Sequence, residues 1–165
     1  QLDFSGAEAA WTELYAWGEV PERAFSTAVY DPGFDVVYAF GGQTYHALAE
    51  TPLCLNLDTE EWTELTVSGD EIDALTDASA VYSADYRAVV LYGGQGYHSL
   101  PDQAYYIEPV GECEVEVTAL APGEGSSPGG LMGHGMVWDS DEDVALIVGG
   151  QGYYRLSESI YSLTP

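Results

Sequence analysis

Lysine is absent from this 165-residue chain, and only Arg23, Arg87 and Arg155 set a permanent positive charge against 28 Asp and Glu, giving a formal net charge of −25. A field of that sign repels nucleic-acid phosphate and anionic lipid headgroups, which excludes both as direct partners. Long apolar runs are missing too; the longest, such as Val144–Val148, have strand length, so no membrane-spanning helix is expected. Cysteine occurs only as Cys54 and Cys113, in no CxxC or Cys/His cluster, which speaks against a zinc site. HExxH and a phosphate-cradling glycine loop followed by Lys are absent, and nothing singles out one carboxylate pair for hydrolysis. A non-catalytic role is the expectation.

What is present is 46% apolar and 13% aromatic residues, ample for a packed β-core in one domain. The triplet Gly-Gly-Gln occurs three times, as Gly41-Gly42-Gln43, Gly93-Gly94-Gln95 and Gly149-Gly150-Gln151, each closing a short apolar run. Val29-Tyr30, Val81-Tyr82 and Val137-Trp138 each lie twelve residues before their own Gly-Gly, so the repeat is longer than the triplet. The Gly-Gly pairs are 52 and then 56 residues apart, a period that signals a propeller or solenoid.

Each unit reads as strands rich in Val, Tyr, Leu and Trp between turn residues such as Asp31-Pro32-Gly33. The first unit predicts strands at Ser26–Tyr30, Val36–Phe40, Pro52–Leu57 and Glu61–Leu65, and the second at Ala78–Tyr82, Ala88–Tyr92, Gln103–Glu108 and Glu114–Leu120. The third has only Gly135–Trp138, Val144–Val148 and Ser159–Leu163. Its missing fourth strand has a candidate at the other end of the chain, because Trp11-Thr12-Glu13-Leu14 repeats Trp62-Thr63-Glu64-Leu65 in all four residues. Pairing a strand from one terminus with three from the other removes an unpaired edge.

The apolar-aromatic first strand, the second strand ending in Gly-Gly, the aromatic that follows and the Trp of the fourth strand resemble the kelch repeat, over roughly residues 11–165. Val117 stands at the Trp position of the second unit, and an Arg before the first strand occurs once, as Arg23. The resemblance implies an all-β, kelch-type propeller with three four-stranded blades, half of a ring. Residues 11–20 would complete a last blade, 23–66 form the first, 77–121 the second, and 133–165 the third without its fourth strand. Three blades are fewer than the about 4–8 of closed propellers. Either two copies join head to tail, or the chain is a piece of a longer propeller.

The acidity suits solubility in a salty or extracellular setting, where screening over about 8–10 Å blunts self-repulsion. Asp139, Asp141 and Asp143 in the first hairpin loop of the third unit offer oxygen ligands for Ca²⁺ in principle. The equivalent loops do not repeat the arrangement, so a solvated turn is expected there. Cys54 and Cys113 are expected to bridge adjacent blades as a structural disulfide. A chain that starts inside a unit at Gln1 reads as a mature product or a fragment. With the absent Lys and the disulfide, this points to an extracellular, periplasmic or cell-surface location.

Candidate binding residues follow each Gly-Gly: Gln43, Tyr45 and His46; Gln95, Tyr97 and His98; Gln151, Tyr153 and Tyr154. In kelch-like blades these loops open on one face around the channel. Amide, phenol and imidazole groups can hold neutral polar ligands such as sugars by hydrogen bonds and stacking. For the tyrosines, wedging between blades is the stronger expectation; His46 and His98 are the best ligand contacts. His134, in a glycine-rich stretch, is expected to fix an inter-blade turn. The favoured function is a protein-binding or assembly module, its ring closed by another copy or segment. A lectin-like propeller is the alternative, and a part of a kelch-type enzyme a third.

Overall fold

The computed structural model describes residues 2–3, 10–18, 22–121, 125 and 127–165. It is all-β, with fourteen strands and, among the described residues, no helix, hence none long and apolar enough to cross a membrane. β1 (Leu2–Asp3) and β2 (Ala10–Trp11) form a short antiparallel ladder with Leu2 opposite Trp11. Sheet 1 follows in chain order: β3 (Thr27–Asp31), β4 (Val36–Phe40), β5 (Leu53–Asn56) and β6 (Glu61–Glu64), all antiparallel neighbours. Sheet 2 begins with β7 (Thr66–Gly69) and continues through β8 (Ser79–Ser83), β9 (Ala88–Tyr92), β10 (Ala104–Gly111) and β11 (Glu114–Leu120), in spatial order β7-β11-β10-β9-β8. Sheet 3 holds β12 (Gly135–Asp139), β13 (Val144–Val148) and β14 (Ile160–Leu163). No sheet closes into a barrel among the described residues.

The first hairpin of every unit turns alike despite different sequences. Asp35, Arg87 and Asp143 occupy equivalent positions with φ of 54°, 52° and 56°. A side-chain oxygen at the end of the first strand caps each turn: Asp31 Oδ1 accepts the Gly33 N–H at 2.7 Å, Ser83 Oγ the Tyr86 N–H at 3.2 Å, and Asp139 Oδ1 the Asp141 N–H at 3.0 Å. The turn therefore fixes the register, which keeps the apolar alternation inward.

The first strands lie side by side, β3 against β8 and β8 against β12, and the sheets stack around them. Between sheets 1 and 2 the core is built on Tyr38, Phe40, Val89, Leu91, Ile107 and Val117; a smaller cluster of Tyr92, Ala104, Leu131 and Ile147 joins sheets 2 and 3. Cys54 of β5 and Cys113 at the β10–β11 turn form the expected disulfide between neighbouring sheets, with Cα atoms 5.5 Å apart. Beside it Asn56 donates a hydrogen bond to Glu112.

Two features differ from the sequence-based expectation. Sheet 2 gains a fifth strand, because the chain leaving β6 crosses over and runs parallel to β11 as β7, with Val67 beside Val115. The N-terminal segment does the same to sheet 1: Trp17 bridges Glu61 in parallel, and its Nε1 donates to the Thr59 carbonyl at 3.0 Å. Gly18 and Gly69 end these equivalent segments with φ of 110° and 83°, and at both a side chain would collide with the partner strand's carbonyl, of Trp62 and Val117 respectively. The second difference is that the strand expected over 11–20 is present only at Trp11, as the end of β2. Residues 12–16 form no ladder among the described residues; residues 19 and 20 lie outside the described part.

Candidate functional site

The three Gly-Gly-Gln loops are built by one repeated set of backbone bonds. In each, the Gln exchanges bonds with a residue ahead of the first strand: Gln43 with Ala24, Gln95 with Thr76, and Gln151 with Met132. A tight turn follows, closed by Thr44 N–H to Ala47 C=O, Gly96 to Ser99 and Gly152 to Arg155 at 2.8–2.9 Å. The Gly-Gly pair sits in left-handed conformation, 61° and 92° at Gly41 and Gly42. That geometry aims the second N–H at the next unit: Gly42 donates to the Leu75 carbonyl and Gly94 to the Leu131 carbonyl, both at 2.7 Å. A Cβ on Gly41 would run into the Leu75 carbonyl, and one on Gly93 into the Leu131 carbonyl. The motif is thus first a junction between sheets.

The tyrosines belong to the same junctions. Tyr97 Oη accepts the Leu48 N–H at 3.0 Å, and Tyr153 Oη accepts the Leu100 N–H at 2.7 Å, so each reaches back to the loop of the preceding unit. Tyr45, with no such partner among the described residues, is 95% exposed. His46 and His98 are exposed at the loop tips, and Tyr154 is fully exposed, its ring 6.2 Å from that of Tyr153. Gln43 is half-buried, while Gln95 and Gln151 face a shared open hollow of about 510 Å³ with Asp77, Met132, Gly133 and Leu156. The loops therefore stand on one line of junctions, and neighbouring loops touch through a tyrosine.

Asp139 Oδ1 also accepts the Glu142 N–H at 3.3 Å, so this carboxylate serves its own turn. Among the described residues, no group of three or more His, Cys, Asp and Glu is placed to hold a metal ion.

Several polar residues outside the Gly-Gly-Gln loops carry structural parts. Arg23 Nη1 donates to the Gly41 and Thr51 carbonyls, both at 3.2 Å, tying the start of unit 1 to its own Gly-Gly; burial lowers its pKa. Asp31, fully buried, accepts from Tyr38 Oη at 3.1 Å, and burial first, then this carboxylate, raise the Tyr38 pKa. Tyr92 Oη donates to Asp102 Oδ1 at 2.6 Å beside the Gly129 carbonyl, and Tyr105 Oη donates to Asp73 Oδ2 at 2.9 Å. Burial is the main cause that pushes Tyr105 up to about 12. His134 is 5% exposed and edge-on to Tyr92, with ring centroids 5.5 Å apart. Neither of its ring nitrogens makes a hydrogen bond of normal geometry, and burial holds its pKa below the ordinary value, an effect the Tyr92 backbone partly offsets. The available signal was positional: His134 aligns with Ser26 and Ala78.

Among known proteins, no family model matches this chain and no curated protein is significantly similar to it.

Proposed function

We propose that the chain is a segment of a kelch-type β-propeller that acts outside the cytoplasm as a non-catalytic protein-binding or assembly module, its ring completed by another chain segment. The observation that carries this reading is the repetition of the junction. The bond from the second glycine to the next unit's carbonyl occurs at both internal junctions with the same 2.7 Å length, as blades set around an axis require. The Cys54–Cys113 bridge fits an oxidising compartment. A second reading, glycan binding by the loop face, is favoured by the exposed rings of His46, His98 and Tyr154 at equivalent loop tips.

Native-state hydrogen exchange tests the architecture. The Gly42 and Gly94 amides are expected among the slowest outside the strands; rapid exchange at both, with strand amides protected, would sink the propeller reading. A glycan array tests the second reading: binding abolished by His98→Ala and Tyr154→Ala would replace the protein-binding role.

A further inference from the structure

Three bonds define each junction between consecutive sheets. Between sheets 1 and 2 they are Gly42 N–H to Leu75 C=O, Asp77 N–H to Phe25 C=O at 3.0 Å, and Leu48 N–H to Tyr97 Oη. Between sheets 2 and 3 they recur as Gly94 to Leu131, Gly133 to Asp77 at 2.9 Å, and Leu100 to Tyr153. The repeat spacing dictates the third set: Gly150 N–H to the carbonyl of Arg23, Phe25 N–H to that of Gly133, and Leu156 N–H to Tyr45 Oη. Among the described residues none of these groups has that kind of partner, and a Cβ on Gly149 meets nothing within 4 Å, where Gly41 and Gly93 are covered. One end of the molecule thus carries two donors and one acceptor, and the other the two acceptors and one donor that complement them.

The strands agree. In sheets 1 and 2 the fourth strand sets Trp62 opposite Leu55 and Val117 opposite Ile107. By the same register Leu163 of β14 takes Trp11 as its opposite, and Ile160 takes Leu14. Ile160 is 67% exposed and Leu14 45%, whereas Leu65, the equivalent of Leu14, is 5% exposed. Trp11 now faces Leu2 across the short β1–β2 ladder, a place that Leu163 would take.

We infer that the open end of sheet 3 is the docking site for the N-terminal face of a second copy of this chain, two copies closing a ring of six sheets. This rests on the propeller reading above. Each copy presents both complementary faces, so the contact is heterologous and repeats until it closes. With three sheets per copy, six is the multiple of three within the range of about 4–8 blades. Copies of the same strong negative charge repel, so added salt strengthens the association.

Light scattering after size exclusion, across concentration and salt, supplies the test. The wild-type chain is expected to dimerise, and Gly149→Ala to raise the dissociation constant more than about tenfold, because its methyl would meet the second copy's Arg23 carbonyl. Gly129→Ala is the control: its φ of 73° imposes the same backbone strain, and its Cβ also meets nothing within 4 Å, but it lies outside the contact. It should leave the dimer intact. In the same samples the Gly150 amide should become protected only as the dimer forms. A chain that stays monomeric while folded, a dimer indifferent to Gly149→Ala, or assembly that grows past the dimer would each overturn the inference. Slow exchange at Gly42 and Gly94 in a monomer leaves the propeller reading standing and gives the vacant place to another segment; rapid exchange there defeats both.

Discussion

Sheets 2 and 3 are built from the same repeat, yet one is a core and the other is half a surface. Every residue of β9, Ala88–Tyr92, is buried; in the equivalent β13 burial alternates and Val148 is exposed. Ile107 is fully buried in β10, whereas its equivalent Leu163 in β14 is half-buried. The side chains are comparably apolar, so composition does not make the difference. Among the described residues, sheet 2 has a sheet on either side and β7 on its edge, while sheet 3 has one neighbouring sheet and a bare β14. In a repeat architecture burial is conferred by the next unit, and stability is a sum of units and junctions.

The sharpest way to break this comparison is to truncate equivalent positions. Ile107→Ala is expected to lower the unfolding free energy by about 3 kcal/mol, through lost transfer energy plus a cavity enclosed by two sheets. Leu163→Ala should cost about 1 kcal/mol or less in the isolated chain, since water already reaches that face. Denaturant titration of both variants decides it, and equal losses would mean that sheet 3 is packed as tightly as sheet 2.

The disulfide makes the comparison unequal in a second way, because it ties sheet 1 to sheet 2 and leaves sheet 3 without a cross-link. With its ends separated by 59 positions in sequence, it restricts the unfolded chain; replacing both Cys54 and Cys113 by Ser should cost about 2–4 kcal/mol. Exchange protection should fall in sheets 1 and 2 well before it changes in sheet 3. A uniform loss would show the three sheets unfolding as one cooperative body.

The parts legible in the sequence were those governed by local chemistry at fixed spacing. The twelve residues from Val29, Val81 and Val137 to their Gly-Gly enclose a hairpin whose cap and left-handed residue recur, so strand order and register followed from the period. The cysteine pairing was expected because the chain's two cysteines fall in adjacent units, and facing sheets bring them together. What stayed hidden depends on partners distant in sequence. β7 is exposed along its whole length, so Thr66–Gly69 has no apolar alternation to betray it. The hydroxyls of Tyr97 and Tyr153 meet backbone N–H groups about fifty residues away, and nothing in a Gly-Gly-Gln-x-Tyr string indicates whether the ring serves a ligand or a neighbouring loop. Trp11–Leu14 was identified as a fourth strand by its identity with Trp62–Leu65, but a strand needs an edge to pair with, and among the described residues only Trp11 lies in a ladder, with β1.

His134 marks the junction between sheets 2 and 3 and makes it sensitive to acid in a way the junction of sheets 1 and 2, with Ala78 at the aligned position, is not. Its ring resists protonation when buried, while in the unfolded chain it takes up a proton near pH 6.5. The unfolded state therefore binds more protons as pH falls below that point, and stability drops with it. Wild type should lose more stability between pH 7 and 5 than His134→Gln, a difference in which carboxylate titration common to both cancels. Parallel curves would show that His134 gains a partner for its charged form.

The smallest effect discriminates most finely between a satisfied junction and an open end. Tyr97→Phe removes the acceptor for the Leu48 N–H, and Tyr153→Phe that for the Leu100 N–H; both bonds are exposed, so water can replace them and each change should cost only about 0.5–1 kcal/mol. Tyr45→Phe removes the aligned hydroxyl where, among the described residues, no Leu N–H lies against it, and should leave the monomer's stability unchanged. In a sample where chains associate end to end, the same Tyr45→Phe change should begin to cost as much as the other two, since its hydroxyl then receives the Leu156 N–H. Denaturation of the three variants at low and high protein concentration measures this directly. If Tyr45→Phe stays neutral in the associated state, the tyrosine loops are not what joins the ends.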